Sequence, residues 1–385
     1  MSEGPIAKIP NLDLAHYRFI IHNGSEDLRE DAKQKLFEGI KENNMAPFYR
    51  LMCEELKVSI DDSLLESMEK VNEEEIQKLD EKLQDAEQNA GETEVSDVLL
   101  AKAELYAKIG DKEKALKAYK VAYEKNATVG YRLDIIFAFI RIGLFYSDND
   151  LISRNIEKAK GIIEEGGDWD RRNRLKVYNA TYLMSIRDFK GASGLYLDTL
   201  STFTSTELME YKEFVKYAVL TSAISLSRVD MKKKVLEAPE VLEVLHEIPG
   251  LEDYITSLYN GNYAKFFQSL ALMEEKYLKA SRLLFPHMRF YVREMRIIAY
   301  AQLLESYRSL TIESMATAFG VSEEFIDNDL SKFISAGRLN CVIDKVNGIV
   351  ETNRPDNKNA QYQQSIKQGD LLLNRIQKLS RVINV

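Results

Sequence analysis

The sequence is short of several things, and each shortage excludes a class of protein. Cysteine occurs only twice in 385 residues, at Cys53 and Cys341. No disulfide framework follows from two distant cysteines, and the chain reads as a reduced, intracellular protein. The 4 histidines are His16, His22, His246 and His287. They form no His-Glu-x-x-His and no pair one residue apart, so the spacings of helix-borne zinc peptidases and of zinc isopeptidases are missing. There is no Cys-x-x-Cys, no Gly-Lys-Ser/Thr phosphate loop and no G-x-S-x-G elbow. Gly191-Ala192-Ser193-Gly194 lacks the second spacer of that elbow and reads as close helix packing. The expectation is no catalytic, cofactor-binding or metal-binding residue, and no cofactor.

Long apolar runs are missing too. The most apolar stretch, Ile135 to Ile140, stops at Arg141, far short of the ~20 residues a membrane span needs. The start, Met1 to Pro5, has no basic segment leading into an apolar run. A basic excess is also absent: 61 acidic residues stand against 52 basic ones, a net charge of -9. A chain that tracks nucleic acid along its length leans the other way. No membrane and no nucleic-acid partner is expected.

Proline is scarce, 7 in all, with none between Pro47 and Pro239. Proline inside a helix costs ~3 kcal/mol, so this stretch favours stacked helices. Glycines at Gly110, Gly130, Gly143, Gly161 and Gly191 are expected to sit at helix ends and tight turns. Trp169, the one tryptophan, follows Gly166-Gly167-Asp168 and is expected to anchor an interhelical loop.

What is present is organised. Residues 54–97 carry 16 acidic and 4 basic side chains, so the acidity is local. Ile76, Leu79, Leu83 and Ala86 recur at steps of three, four and three, one face of a helix. That face admits two readings, a seam packed within the chain or an acidic arm docked on a basic partner. Leu99 to Tyr119 reads as helix, Gly110-Asp111 turn, helix. Small Ala103 and Ala115 allow close approach, and Leu105, Leu116 and Tyr119 are expected to fill the gap, as in a tetratricopeptide hairpin. Weaker copies follow at Ile142-Gly143, at Arg187-Asp188-Phe189 and at Gly261-Asn262-Tyr263. Spacings of about 33–40 residues per unit indicate a helical solenoid, whose faces suit protein contacts.

The pattern then changes. Met315 and Phe319 mark one helix face, Gly320 a left-handed turn, and Ser322 the cap of a second helix with Ile326, Leu330, Phe333 and Ile334 as its buried stripe. Leu339, Cys341 and Ile343 alternate as in a half-buried strand, which makes Cys341 an inert buried thiol. Val346-Asn347-Gly348-Ile349 signals a hairpin. Together these predict a winged helix. Its would-be recognition helix carries Glu323, Glu324, Asp327 and Asp329 against Lys332, the wrong sign for phosphate contacts. Arg282, Arg289, Arg293 and Arg296 just before it suit ion pairs between helices as well as a phosphate track. A wing also leaves a strand edge that a neighbour's sheet can extend, which singles out Val342, Val346, Ile349 and Val350. Residues 353–364 read as a polar linker. Beyond them Leu372, Ile376, Leu379 and Ile383, widened by Leu373 and Ile366, form a seam that wants a partner helix, in another chain or in this one.

These pieces in this order resemble the PCI family, named for the proteasome lid, the signalosome and a eukaryotic initiation factor. The resemblance is most specific over Phe285 to Arg296 and Gln302 to Tyr307, and within the family it points to PCI subunits of the 26S proteasome regulatory particle lid. The fold it implies is mainly α, a right-handed helical-repeat (tetratricopeptide-like) solenoid followed by a winged-helix PCI module and a C-terminal helix. The expected divisions are an N-terminal helical region with the acidic segment (1–97), the solenoid (98–285), the winged-helix part (286–354), and a linker with the bundle helix (355–385). The resemblance further implies a non-catalytic scaffold, cytoplasmic and nuclear, in a hetero-oligomer. It would meet other PCI and lid subunits through the winged-helix edge and the C-terminal bundle, and the ATPase ring of the base through the solenoid. A signalosome subunit of similar design, or a nucleic-acid-associated winged-helix PCI protein, is the alternative.

Overall fold

In a computed structural model, residues 7–24, 26–89, 91–126, 128–352 and 357–383 are described. The chain is mainly helical and divides into two compact units, Met1–Thr256 with Ser269–Val292, and Ser257–Gln268 with Arg293–Val385.

The first unit opens with α1 (Leu12–Asn23), α2 (Glu26–Glu42), α3 (Ala46–Leu56) and α4 (Asp62–Asn89). Leu14, Leu36, Ile40, Phe48, Met52 and Met68 join these helices in one apolar cluster. Then come α5 (Glu92–Ile109), α6 (Lys112–Lys125), α7 (Val129–Tyr146), α8 (Asn149–Gly166), α9 (Trp169–Ser185), α10 (Phe189–Asp198) and α11 (Tyr211–Ser225). Each packs on the next in sequence, which is the arrangement of a helical-repeat stack. Short helices α12 (Arg228–Met231) and α13 (Pro239–Leu245) follow; α14 (Leu251–Asn260), α15 (Tyr263–Met273) and α16 (Met288–Ser306) are each shared, with 257–268 and the part of α16 from Arg293 belonging to the second unit.

The acidic segment is mostly α4, and its apolar face is a seam packed within the chain. Ile76, Leu79 and Leu83 are half-buried and Ala86 is buried. The helix lies on α5, and Asp80 accepts an ion pair from Lys102. The apolar run at Ile135 falls in the middle of α7, which is buried from Leu133 almost without interruption to Phe145. A helix apolar on every side needs neighbours on every side.

The repeat turns share a device that differs from the expected glycine pattern. At Gly110 (φ +85°), Ser147 (φ +59°), Arg187 (φ +71°) and Gly261 (φ +76°) the backbone turns left-handed. The next residue then caps the following helix with a side-chain oxygen. Asp111 accepts from Lys114 N at 3.0 Å, Asp148 from Leu151 N at 3.1 Å, Asp188 from Gly191 N at 3.0 Å and Asn262 from Lys265 N at 3.3 Å. Such a cap contributes about 1 kcal/mol. The period therefore lies in the Asp/Asn cap, at 111, 148, 188 and 262, and not in glycine. Gly143, expected at a turn, lies inside α7, where a Cβ would stand 2.6 Å from Ile152 Cγ1 of α8. It permits close helix packing. Gly130, Gly161 and Gly191 also lie inside helices, so of the five only Gly110 ends one.

Ala103, Ala115 and Tyr119 are buried between α5 and α6 as expected, with Leu116 packed beside them. Leu105 points elsewhere: it lines a crevice with Leu79 of α4. Trp169 begins α9 with 65% of its surface exposed, so it is not packed among the described residues as the expected loop anchor.

The second unit holds β1 (Ser309–Thr311), α17 (Ile312–Phe319), α18 (Glu323–Ser335), β2 (Cys341–Asp344), β3 (Ile349–Thr352) and α19 (Asn357–Ile383). Met315, Phe319, Ile326, Leu330 and Phe333 are buried. Gly320 turns left-handed at φ +65° and Ser322 caps α18 by accepting from Phe325 N. The strands are antiparallel in the order β1-β3-β2. Part of the expected linker is helical: α19 starts at Asn357, and Pro355 lies outside the described residues.

Candidate assembly surfaces

The wing is built around its turn. The Asp344 carboxylate accepts from the main-chain N–H of Val346 (2.9 Å) and Asn347 (3.3 Å) and from Asn347 Nδ2 (2.7 Å). These bonds, the Asn347 side chain first, hold its pKa below the usual carboxylate range. Gly348 closes the turn at φ +63°.

The sheet order decides which wing residues a neighbour can reach. Ile349 and Val350 sit on β3, the central strand, with Val350 opposite Leu310 on one side and Ile343 on the other. Their main chain is paired on both sides and offers no free edge. Val350 is fully buried and serves the module's own core, and Ile349 is half-buried. The open edges are the outer sides of β1 and β2. On β2, Val342 is 53% exposed, and Val346 at the hairpin tip is 94% exposed. Strand β1 was not foreseen from the sequence. It has three residues, too few to alternate visibly, and its last, Thr311, doubles as the cap of α17.

Helix α19 carries the second surface. Ile366, Leu372, Leu373, Ile376, Leu379 and Ile383 are each more than half exposed, as are Leu371 and Val382. The stripe at steps of four, three and four therefore has no cover within the described chain. Exposed apolar residues are ordinary when single; a row of them along a 27-residue helix is an unpartnered face.

The acidic helix α18 is not turned outward as a whole. Asp329 is buried and accepts from Arg296 Nη1 at 2.7 Å, and Asp327 pairs with Lys345 at 3.1 Å. Glu294 is buried and pairs with Arg338 and, at 3.7 Å, with Arg293. Of the four arginines that could have formed a phosphate track, Arg293 and Arg296 are thus engaged in ion pairs. Arg282 donates to the main-chain oxygen of Phe145. Glu323 and Glu324 remain exposed where a recognition helix would meet DNA. Cys341 is buried, and burial pushes its thiol pKa up, away from the thiolate a nucleophile needs.

Comparison with known proteins accounts for these pieces together. Residues 61–234 match the family 26S proteasome subunit RPN7, residues 249–354 the PCI domain, and residues 361–383 the 26S proteasome regulatory subunit RPN7/PSMD6 C-terminal helix. The 26S proteasome non-ATPase regulatory subunit 6 homolog of Arabidopsis thaliana is 51% identical over 98% of this chain and 97% of its own length. The 26S proteasome non-ATPase regulatory subunit 6 of Dictyostelium discoideum is 48% identical over 99% of both. The chain belongs to the RPN7, or non-ATPase regulatory subunit 6, family. A more distant relative, the 26S proteasome regulatory subunit RPN7 of Saccharomyces cerevisiae, is 39% identical over 99% of this chain and 95% of its own length. The RPN7 match runs from the start of α4 to just past α12, the PCI match from before α14 to the end of β3. The C-terminal match contains all six stripe residues of α19 from Ile366 to Ile383.

Proposed function

We propose that this chain is a non-catalytic structural subunit of the 26S proteasome regulatory particle lid, and that it supports assembly of the particle and so the ATP-dependent degradation of ubiquitinated proteins. The observation that carries the reading is the uncovered stripe of α19. Burying a leucine or isoleucine side chain contributes about 1.5–3 kcal/mol. Leu372, Ile376, Leu379 and Ile383 are 53–71% exposed, so covering what remains supplies roughly 4–7 kcal/mol towards a helical bundle, before the cost of association. The interface side chains proposed are these four with Leu373, together with Val342, Val346 and Ile349 of the wing. Val350 would contribute by holding β3 in place. Other PCI and lid subunits would cover the wing edge and α19, and the helical-repeat part would face the ATPase ring. The working compartments are the cytoplasm and nucleus; among the described residues no helix is long and apolar enough to cross a membrane.

The test is the composition of the native complex that carries a tagged copy of the chain, read by native mass spectrometry. Lid and base subunits in fixed stoichiometry support the proposal. Signalosome subunits in their place would overturn it.

A further inference from the structure

The first unit contains a cavity of about 310 Å³ between the start of α1, the segment leading into α11, and residues 276–283. Its lining carries four carboxylates and as many permanently charged cations, but they are not all paired with one another. At the rim stand exposed Lys8 and Lys276 against exposed Asp13 and Glu210. Deeper in, buried Glu207 is bound by Arg174 at 3.2 Å; Glu213, exposed like the rim residues, is bound by Lys216 at 3.0 Å. At the rim two cations thus face two carboxylates; Glu207, whose Oε2 has no hydrogen-bond partner among the described residues, and Glu213 each have a partner of opposite charge.

Arg282 has none. Among the described residues its one hydrogen bond is a long one, 3.4 Å, from Nη1 to the oxygen of Phe145. No carboxylate of the described residues lies within ion-pairing distance of it. The guanidinium fork has five N–H donors and is built for planar oxyanions. Burial has lowered its pKa to about 10, so it is still a cation at neutral pH. Arg282 is half-buried, and a partly desolvated cation with no counter-charge gains from an oxyanion that pairs with it. His16 lines the same cavity, and burial lowers its pKa. A neutral imidazole there presents one N–H donor without adding charge. The Tyr217 and Ser281 hydroxyls, 3.0 Å apart, complete a polar wall.

We infer that this cavity is a binding site for a small ligand with one compact oxyanion head, a carboxylate or a phosphate, held by Arg282 with His16 as second donor. The balanced rim disfavours a polyanion, and the cavity volume suits a metabolite rather than a folded partner.

The test uses the full-length chain in an anion-poor buffer near pH 7.5, with inorganic phosphate and, separately, acetate as probes. Isothermal calorimetry on the natural chain should show saturable binding of one ion per chain, and the same probe should raise its melting temperature. The probe that binds more tightly distinguishes phosphate from carboxylate. The Arg282→Met chain should bind at least about tenfold more weakly and should melt no lower than the natural chain when no anion is present, because it lacks the unpaired charge. Lys276→Met, at the rim, should bind nearly as the natural chain does. Absence of saturable heat with either probe in the natural chain overturns the inference, whether or not Arg282→Met folds. An equal rise in melting temperature for the natural chain and Arg282→Met also overturns it, since that is a general salt effect.

Discussion

Arg296 Nη1 donates to Asp329 Oδ2 at 2.7 Å, and this ion pair draws the acidic helix α18 against α16. The Asp329 side chain is only 9% exposed, and the Tyr300 hydroxyl also approaches it, at 3.4 Å. Removing Asp329 takes a charge-assisted hydrogen bond from Arg296, whose own side chain is 25% exposed, at a cost of roughly 1.5–3 kcal/mol. Asp329→Ala is therefore expected to destabilise the winged module by about that amount, measured by urea unfolding. Replacing Arg296 and Asp329 together, by Met and Leu, should recover most of the loss.

The two wing valines are expected to part company. Val350 is fully buried on the central strand, whereas Val342 is 53% exposed on an outer one. Val350→Ala should cost ~2 kcal/mol of module stability through lost burial and a small cavity. Val342→Lys should leave the melting temperature of the isolated chain unchanged and weaken its incorporation into the complex. Charged residues on an edge strand are a standard block to lateral pairing.

Much of this architecture was legible in the sequence, for identifiable reasons. Gly320 and Ser322 fix the turn between α17 and α18 through local chemistry, and Leu372 to Ile383 declare a helix face by spacing alone. Gly110 and Asp111 announce the first repeat turn in the same local way. Glycine is the weaker marker of the repeat: at Ser147 and Arg187 a non-glycine residue takes the left-handed turn, and only the aspartate after it keeps the period. The centrality of β3 was not legible, because its partner β1 has three residues and merges into a helix cap. Nor was the exposure of Trp169, since burial of a lone aromatic depends on neighbours distant in sequence.

Glu104 offers a pH test of the repeat core. It is half-buried, and burial raises its pKa, with Arg141 opposing. A carboxylate with a raised folded pKa favours folding while protonated, and that advantage falls away as pH rises from its unfolded value, near 4.3, through the folded one. Glu104→Gln should therefore be more stable than the natural chain at pH 7, and the gap should close below about pH 4. Thermal melts of both chains across pH 3.5–7.5 measure it.

Asp148 has the opposite sign. Its hydrogen bond from Lys112 at 2.8 Å, and then the Leu151 N–H, hold its pKa down. Its contribution is present above the unfolded value of about 3.9 and is lost as pH falls through the folded one. Asp148→Ala should cost about 1 kcal/mol at pH 7, the value of a helix cap. The difference from the natural chain should shrink at lower pH. Urea unfolding at pH 7 and pH 3.5 checks both statements.

The central claim, that this chain works by being covered by its neighbours, is tested most directly at the middle of α19. Ile376 is 53% exposed in the chain alone, so Ile376→Asp should leave its melting temperature and circular dichroism unchanged. In a bundle the same aspartate would be buried without a partner. The account predicts that native mass spectrometry of cells expressing tagged Ile376→Asp finds the chain depleted from complete regulatory particles. Incorporation equal to that of the natural chain would contradict it.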